Sequence, residues 1–217
     1  VDHTAVMRIT LIHALRSSPP PIEDAFARLW PRAELRSLLD DGLSAELSRT
    51  GLLDDRMTER FLALGRYAAA DRPDAILFTC SAFGPCIDAV RAEVAPIPVR
   101  KPNDAMIAQA ARIGGRVALV AWFAPTLASM PAEFPDGVEI VPVFVEGAQA
   151  AHLAGDYTEH DRLVAEAVAA IDVDVVALAQ FSIARSAPEI RKRTSKPVLT
   201  TPDMAVIELR DTLIHAA

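Results

Sequence analysis

Hydrophobic positions along the chain follow two periods. Short, nearly continuous runs of Val, Ile, Leu and Ala at Met7 to Ile12, Ala75 to Thr79, Val117 to Ala121, Val138 to Val145 and Val173 to Leu178 read as strands buried on both faces. Ile97 to Arg100 and Pro197 to Thr200 are shorter strand candidates. Between these runs the period lengthens to that of a helix. One helix is expected after Pro19, Pro20 and Pro21, and another over Leu52 to Ala70, where Leu53, Met57, Phe61, Leu64 and Ala68 fall at spacings of three and four. A stripe of this kind belongs to a core. The alternation predicts an α/β fold with mainly parallel sheets and helices on both faces.

The second half of the chain can be laid on the first. Arg8 to His13 matches Arg116 to Ala121 in pattern, and Ile76 to Ile107 lies on Val176 to Ile207 at an offset of 100 with one local slip. Pro102-Asn103 then falls on Pro202-Asp203, and Ala105 on Ala205. An internal duplication of one α/β unit follows. The expected division is a first lobe of residues 7–103 plus 203–217 and a second of 104–202, with the last helix, Asp203 to His215, crossing back onto the first lobe. Two pseudo-symmetric lobes suggest an active-site cleft between them, because open α/β sheets bind ligands at the carboxyl ends of their strands. Those ends are His13 with Ser17, Cys80 with Ser81, Lys101 with Asn103, Trp122 with Thr126, Gln180 with Ser182, and Thr200 with Thr201.

Composition narrows the class of function. The formal charge of −7 argues against a basic nucleic-acid surface. With 51% apolar and 24% charged residues, a chain of 217 residues can bury a sizeable core without staples. No run approaches the roughly 20 apolar residues of a membrane span, and Val1 to Val6 lacks the layout of a secretory signal. Residues 1 to 6 read as an extension outside the fold, and the expected location is the cytoplasm. The apolar content is compatible with a homo-oligomer, although no residue marks an interface. Glycine is scarce, at 9 residues, and neither GxGxxG nor a phosphate loop occurs, which argues against a nucleotide cofactor. HExxH and GxSxG are missing as well.

Cys80 is the main chemical candidate. It closes a strand and precedes Ser81-Ala82-Phe83-Gly84-Pro85, where Pro85 suits the first turn of a helix. A thiol at a helix N-terminus is expected to have its pKa lowered and to serve as base or nucleophile, alkylating rapidly below about pH 8. The competing reading is a buried structural cysteine, which is how Cys86 reads, on a helix face with Val90 and Val94. His13 suits acid/base work or a carboxylate contact, Lys101 suits a carboxylate, and Thr126, Thr200 and Thr201 offer hydroxyls or cap turns. His160-Asp161 lies in the first turn of a helix that Thr158 could cap. With His152 eight residues away and no metal-ligand spacing, the pair reads as structural. The run Arg191 to Lys196 reads as a solvated helix C-terminus.

Phe78-Thr79-Cys80-Ser81-Ala82, Ala177-Leu178-Ala179-Gln180-Phe181-Ser182 and the duplicated layout resemble the aspartate/glutamate racemase superfamily, with its hydantoin racemases, maleate isomerases and arylmalonate decarboxylases. The resemblance spans nearly the whole chain from Met7. It implies two α/β lobes, a cofactor-independent site and a small carboxylate substrate with an acidic α-carbon. In the racemases one cysteine from each lobe flanks that carbon. The first carries over to Cys80, and Ser81 and Ala82 carry over to the loop that binds the substrate carboxylate. The second cysteine's position holds Gln180, beside Phe181, and an amide cannot exchange protons near neutral pH. Several outcomes stay open. His13 or Lys101 takes the second role, Cys80 alone serves a one-face decarboxylation or isomerisation, the thiol attacks covalently, or the chain binds a small carboxylate without turnover. The resemblance places the thiol of the one-cysteine decarboxylases in the second lobe, so this chain would be the mirror arrangement.

Overall fold

A computed structural model describes residues 6–216; the expectation for the N-terminal extension falls on residues outside that range, apart from Val6. By their contacts the residues divide into two compact units, one running to Pro102 and resuming at Ala205, the other from Asn103 to Met204.

The first unit is a four-stranded parallel sheet in the order β2-β1-β3-β4, with β1 Arg8–His13, β2 Glu34–Leu39, β3 Ala75–Phe78 and β4 Val99–Arg100. Its helices are α1 Pro19–Leu29, α2 Gly42–Thr50, α3 Asp55–Ala70 and α4 Gly84–Glu93. The second unit repeats the order as β6-β5-β7-β8, with β5 Arg116–Ala121, β6 Glu139–Phe144, β7 Val175–Leu178 and β8 Val198–Thr200. Its helices are α5 Asp104–Ile113, α6 Ala124–Ser129, α7 Ala148–Leu153, α8 Tyr157–Ala169 and α9 Ala187–Arg191. The last helix, α10 Thr201–Ala216, starts in the second unit, and its residues from Ala205 on belong to the first. Glu208 on α10 receives Arg100 Nε at 3.0 Å, and Arg210 donates to the Leu29 carbonyl at 3.2 Å.

The continuous apolar runs follow from burial on both faces. In β5 and β7, Ala118, Val120, Val176 and Leu178 pack with Val164, Val168 and Ile190, whereas Val117, Leu119, Val175 and Ala177 pack with Met106, Ala110 and Phe134. In the first unit Ile12, Ile76 and Phe78 face Phe61, Ile87 and Val90. Small anchors recur in both copies. The Asp74 carboxylate accepts the Arg8 amide at 2.7 Å, and Asp174 accepts the Arg116 amide at 2.7 Å. No helix of the described residues is long and apolar enough to cross a membrane.

Three elements differ from the sequence reading for identifiable reasons. The run Val138 to Val145 is not buried on both faces: it forms the edge strand β6, with Glu139, Pro142 and Phe144 exposed. The strand β2 lacks a continuous apolar run because it is an edge strand, with Glu34, Arg36, Ser37 and Leu39 exposed. The cap of α8 is Asp156, whose carboxylate accepts the Glu159 amide at 3.1 Å, and not Thr158. By the same device Asp54 caps α3 through the Met57 amide at 2.8 Å.

The helices α3 and α4 meet through Gly65, where an added Cβ would collide with Val90 Cγ1. Replacing Gly65 by Ala is expected to lower the unfolding free energy by about 1–3 kcal/mol, read by urea denaturation, because overpacking here outweighs the gain in helix propensity.

Candidate active site

In the first unit β3 ends at Phe78, and Thr79 still donates its amide to the Ile12 carbonyl at 3.0 Å. At Cys80 the backbone stays extended, and Ser81–Phe83 forms one 3-10 turn that leads into α4 with Pro85 in its first turn. The thiol is half-buried beside the core of this unit. Two donors reach its sulfur, the Ala82 amide and the Ser44 hydroxyl. Burial outweighs both and pushes the thiol above its ordinary value, so the expectation of a lowered pKa is corrected. The physical reason is desolvation. The ten-residue α4 begins four residues past the sulfur, the backbone donor that reaches it is Ala82 in the turn before that helix, and this donor does not offset desolvation.

Ser44 was not selected from the sequence. It stands in the first turn of α2, which follows the edge strand β2, and nothing in its neighbourhood along the chain marks it as a partner for residue 80.

His13 ends β1 with 0% of its surface exposed. Its Nδ1 lies 2.8 Å from Thr79 Oγ1 and its Nε2 lies 3.3 Å from Ser37 Oγ. Thr79 Oγ1 also donates to the Ile12 carbonyl at 3.4 Å, so the neutral ring donates from Nδ1 to Thr79 and accepts at Nε2 from Ser37. Burial lowers its pKa to about 4. This is a ring that braces the turn before Cys80 from inside, without a face for substrate. Lys101 Nζ is held by Asp88 of α4 at 2.7 Å, so its charge is already answered. Ser81 is half-buried and Ala82 exposed at the same strand end.

In the second unit Gln180 stands half-buried after β7, and its Oε1 accepts the backbone amides of Trp122 at 2.9 Å and Phe123 at 3.3 Å. The side chain thus fastens the loop after β5 to the loop after β7. Phe181 is half-buried next to it. Thr126 lies in α6 and donates its amide to the Phe123 carbonyl at 3.0 Å. Thr200 is spent as a cap, accepting the Asp203 amide at 3.1 Å. Thr201 is fully buried with an unpartnered hydroxyl, and Asn103 is buried at the start of α5. His160, read as distant from His152, has its ring centroid 5.4 Å from that of His152. No group of three or more His, Cys, Asp or Glu placed to hold a metal occurs among the described residues. A recess of about 440 Å³ in the first unit is lined by Thr10, Arg36, Leu38, Tyr67 and Asp71 and includes none of the candidates.

No protein-family model matches the sequence, and no curated protein matches it either. Solved structures do match in fold. A glutamate racemase from Bacillus anthracis superposes with a TM-score of 0.70 at 14% identity, over 97% of this chain and 83% of its own. An aspartate racemase from Picrophilus torridus gives 0.71 at 12% identity, over 95% of this chain and 94% of its own. Arylmalonate decarboxylase gives 0.66 at 16% identity, over 97% and 94%. The chain therefore has the two-unit α/β fold of these proteins.

Two expectations follow. Ser44→Ala removes a donor to the sulfur and should slow iodoacetamide alkylation of Cys80 at neutral pH by about threefold to tenfold, the thiol titrating higher than in wild type. His13 governs acid stability. As pH falls from 6.5 toward 4 the unfolded chain takes up a proton that the folded ring refuses, so stability present at neutral pH is lost across that window. The loss from this residue is roughly 3 kcal/mol, and the fall in urea-derived unfolding free energy from neutral pH to about pH 4 should be smaller by that amount in His13→Asn.

Proposed function

We propose that the chain is a cofactor-independent enzyme that moves a proton at the α-carbon of a small carboxylate, a reaction of the racemase or isomerase type, with Cys80 as the proton-transfer group. The observation that supports this most is Cys80 itself, a half-buried thiol at the carboxyl end of a parallel strand, with the Ala82 amide and the Ser44 hydroxyl on its sulfur. The fold likeness to two racemases and a decarboxylase supports the same chemistry.

Each residue then has a task. The thiolate takes the α-proton, and the electron pair left on carbon spreads into the carboxylate, which the Ser81 hydroxyl binds. Ala82 gives its amide to sulfur, so its part is to hold the charge that forms there when the proton leaves. His13 and Thr79 act as positioning residues that fix the turn from behind.

A second reading, a decarboxylase or other carbon-carbon lyase, draws on two observations. Burial favours the protonated thiol, and a thiol is the form needed to protonate a carbanion left by loss of carbon dioxide, after which the thiolate regains a proton from water. Inversion needs an acid/base on each face of the carbon, yet Gln180 is an amide fixed to two backbone N–H groups, and the other thiol, Cys86, is fully buried beside Thr58 in the first unit's core.

Proton NMR in D₂O of aspartate, glutamate, hydantoins, maleate and arylmalonates with wild type and Cys80→Ala tests both. Deuterium at the α-carbon with inverted product is expected for the first reading, and carbon dioxide loss with a deuterated product for the second. Either activity should drop by a hundredfold or more, roughly the worth of a general acid or base, in Cys80→Ala. Turnover that survives the substitution would overturn the assignment of Cys80, and saturable binding of a panel member without exchange would make the chain a carboxylate-binding protein.

A further inference from the structure

We propose that the second unit carries a binding site for a small oxyanion, a carboxylate or phosphate group, formed by Trp122, His152, His160 and Arg185. All of its residues belong to the second unit, and the inference does not depend on what Cys80 does.

Its motive is a set of hydrogen-bonding groups without partners. Trp122 Nε1, His152 Nδ1 and His160 Nε2 are all buried and unpartnered, and they sit on rings in succession, Trp122 to His152 at 5.9 Å between centroids and His152 to His160 at 5.4 Å. Buried polar atoms are nearly always paired, so three orphans on adjoining rings point to one missing partner. The indole N–H can only donate, which makes that partner an acceptor.

The protonation of His160 can be assigned from its neighbours. Its Nδ1 lies 2.9 Å from Asp161 Oδ1 and 3.3 Å from Ser186 Oγ, and Ser186 spends its own proton on the same Asp161 oxygen at 2.7 Å. Nδ1 therefore carries a hydrogen, and the orphaned Nε2 becomes a second donor when the ring is protonated. The ring is 0% exposed. At the rim the guanidinium of Arg185 stands 4.0 Å over the Tyr157 ring. It uses Nε on Asp161, at 3.2 and 3.3 Å, and both terminal amino groups are without a partner among the described residues. Asp161 already accepts from Arg185, Ser186 and His160, which leaves no acidic group of the cluster to answer a further positive charge.

His152 lies between these groups. Burial, His160 and Arg185 hold its imidazole below the ordinary value, with Asp161 opposing them. An oxyanion would reverse this balance. It would accept from Trp122, pair with the free edge of Arg185, and make the charged form of His152 favourable, so that anion and proton bind together. Tyr157, Asp161 and Arg185 are the other titratable or charged groups against this cluster.

Histidine C2–H NMR resonances of the full chain, followed during separate additions of sodium acetate and sodium phosphate at constant ionic strength, test the site without reference to turnover. Variants His152→Gln and His160→Gln assign the two signals. At about pH 6 both are expected to move together and saturate, with a dissociation constant about tenfold weaker at about pH 8, and about tenfold weaker in Arg185→Gln. Saturation by acetate or by phosphate alone identifies which oxyanion is held. Shifts that never saturate, or that are the same in a folded Arg185→Gln, would overturn the proposal and leave water as the partner of the three nitrogens.

Discussion

The central strands of each unit, β1 with β3 and β5 with β7, are covered on both faces, and the rest of the structure answers that constraint. A strand without a solvent face must place every backbone N–H and C=O within the sheet, so each has parallel neighbours on both sides and each return passes through a helix. Side chains alternate between two helical layers, which is why both layers of the second unit are apolar. His13 shows what happens when a titratable group enters this region. It is kept neutral and enclosed between two hydroxyls.

The two copies share a backbone and differ in chemistry. Where the first has Cys80, with a sulfur that takes two hydrogen bonds, the second has Gln180, whose carboxamide closes one loop on another. Fourth after each helix cap, Thr58 faces Cys86 in the first copy at 3.6 Å, and His160 faces Ser186 in the second at 3.3 Å. The small Ala14 after β1 has Trp122 as its counterpart after β5. The two copies share the hydrogen-bonded frame, with the thiol in one and an imidazole-rich cluster in the other. The comparison with solved racemases and a decarboxylase is a likeness of this frame.

The sequence by itself determined the α/β class, the two copies and the strand end that carries Cys80, because buried parallel strands print a continuous apolar signature and a duplication prints it twice. It missed β2, an edge strand whose outward residues interrupt the run, and with it Ser44, whose hydroxyl reaches the sulfur from another element. The direction of the thiol's pKa was beyond it too, since local order along the chain shows the helix that follows but not the desolvation imposed by packing. Only the tertiary structure decided that His13 is an interior brace, that Lys101 is held by Asp88, and that His152 and His160 stand ring to ring. Hydrogen-bond partners and burial depend on residues far apart in the chain, and periodicity carries no record of them.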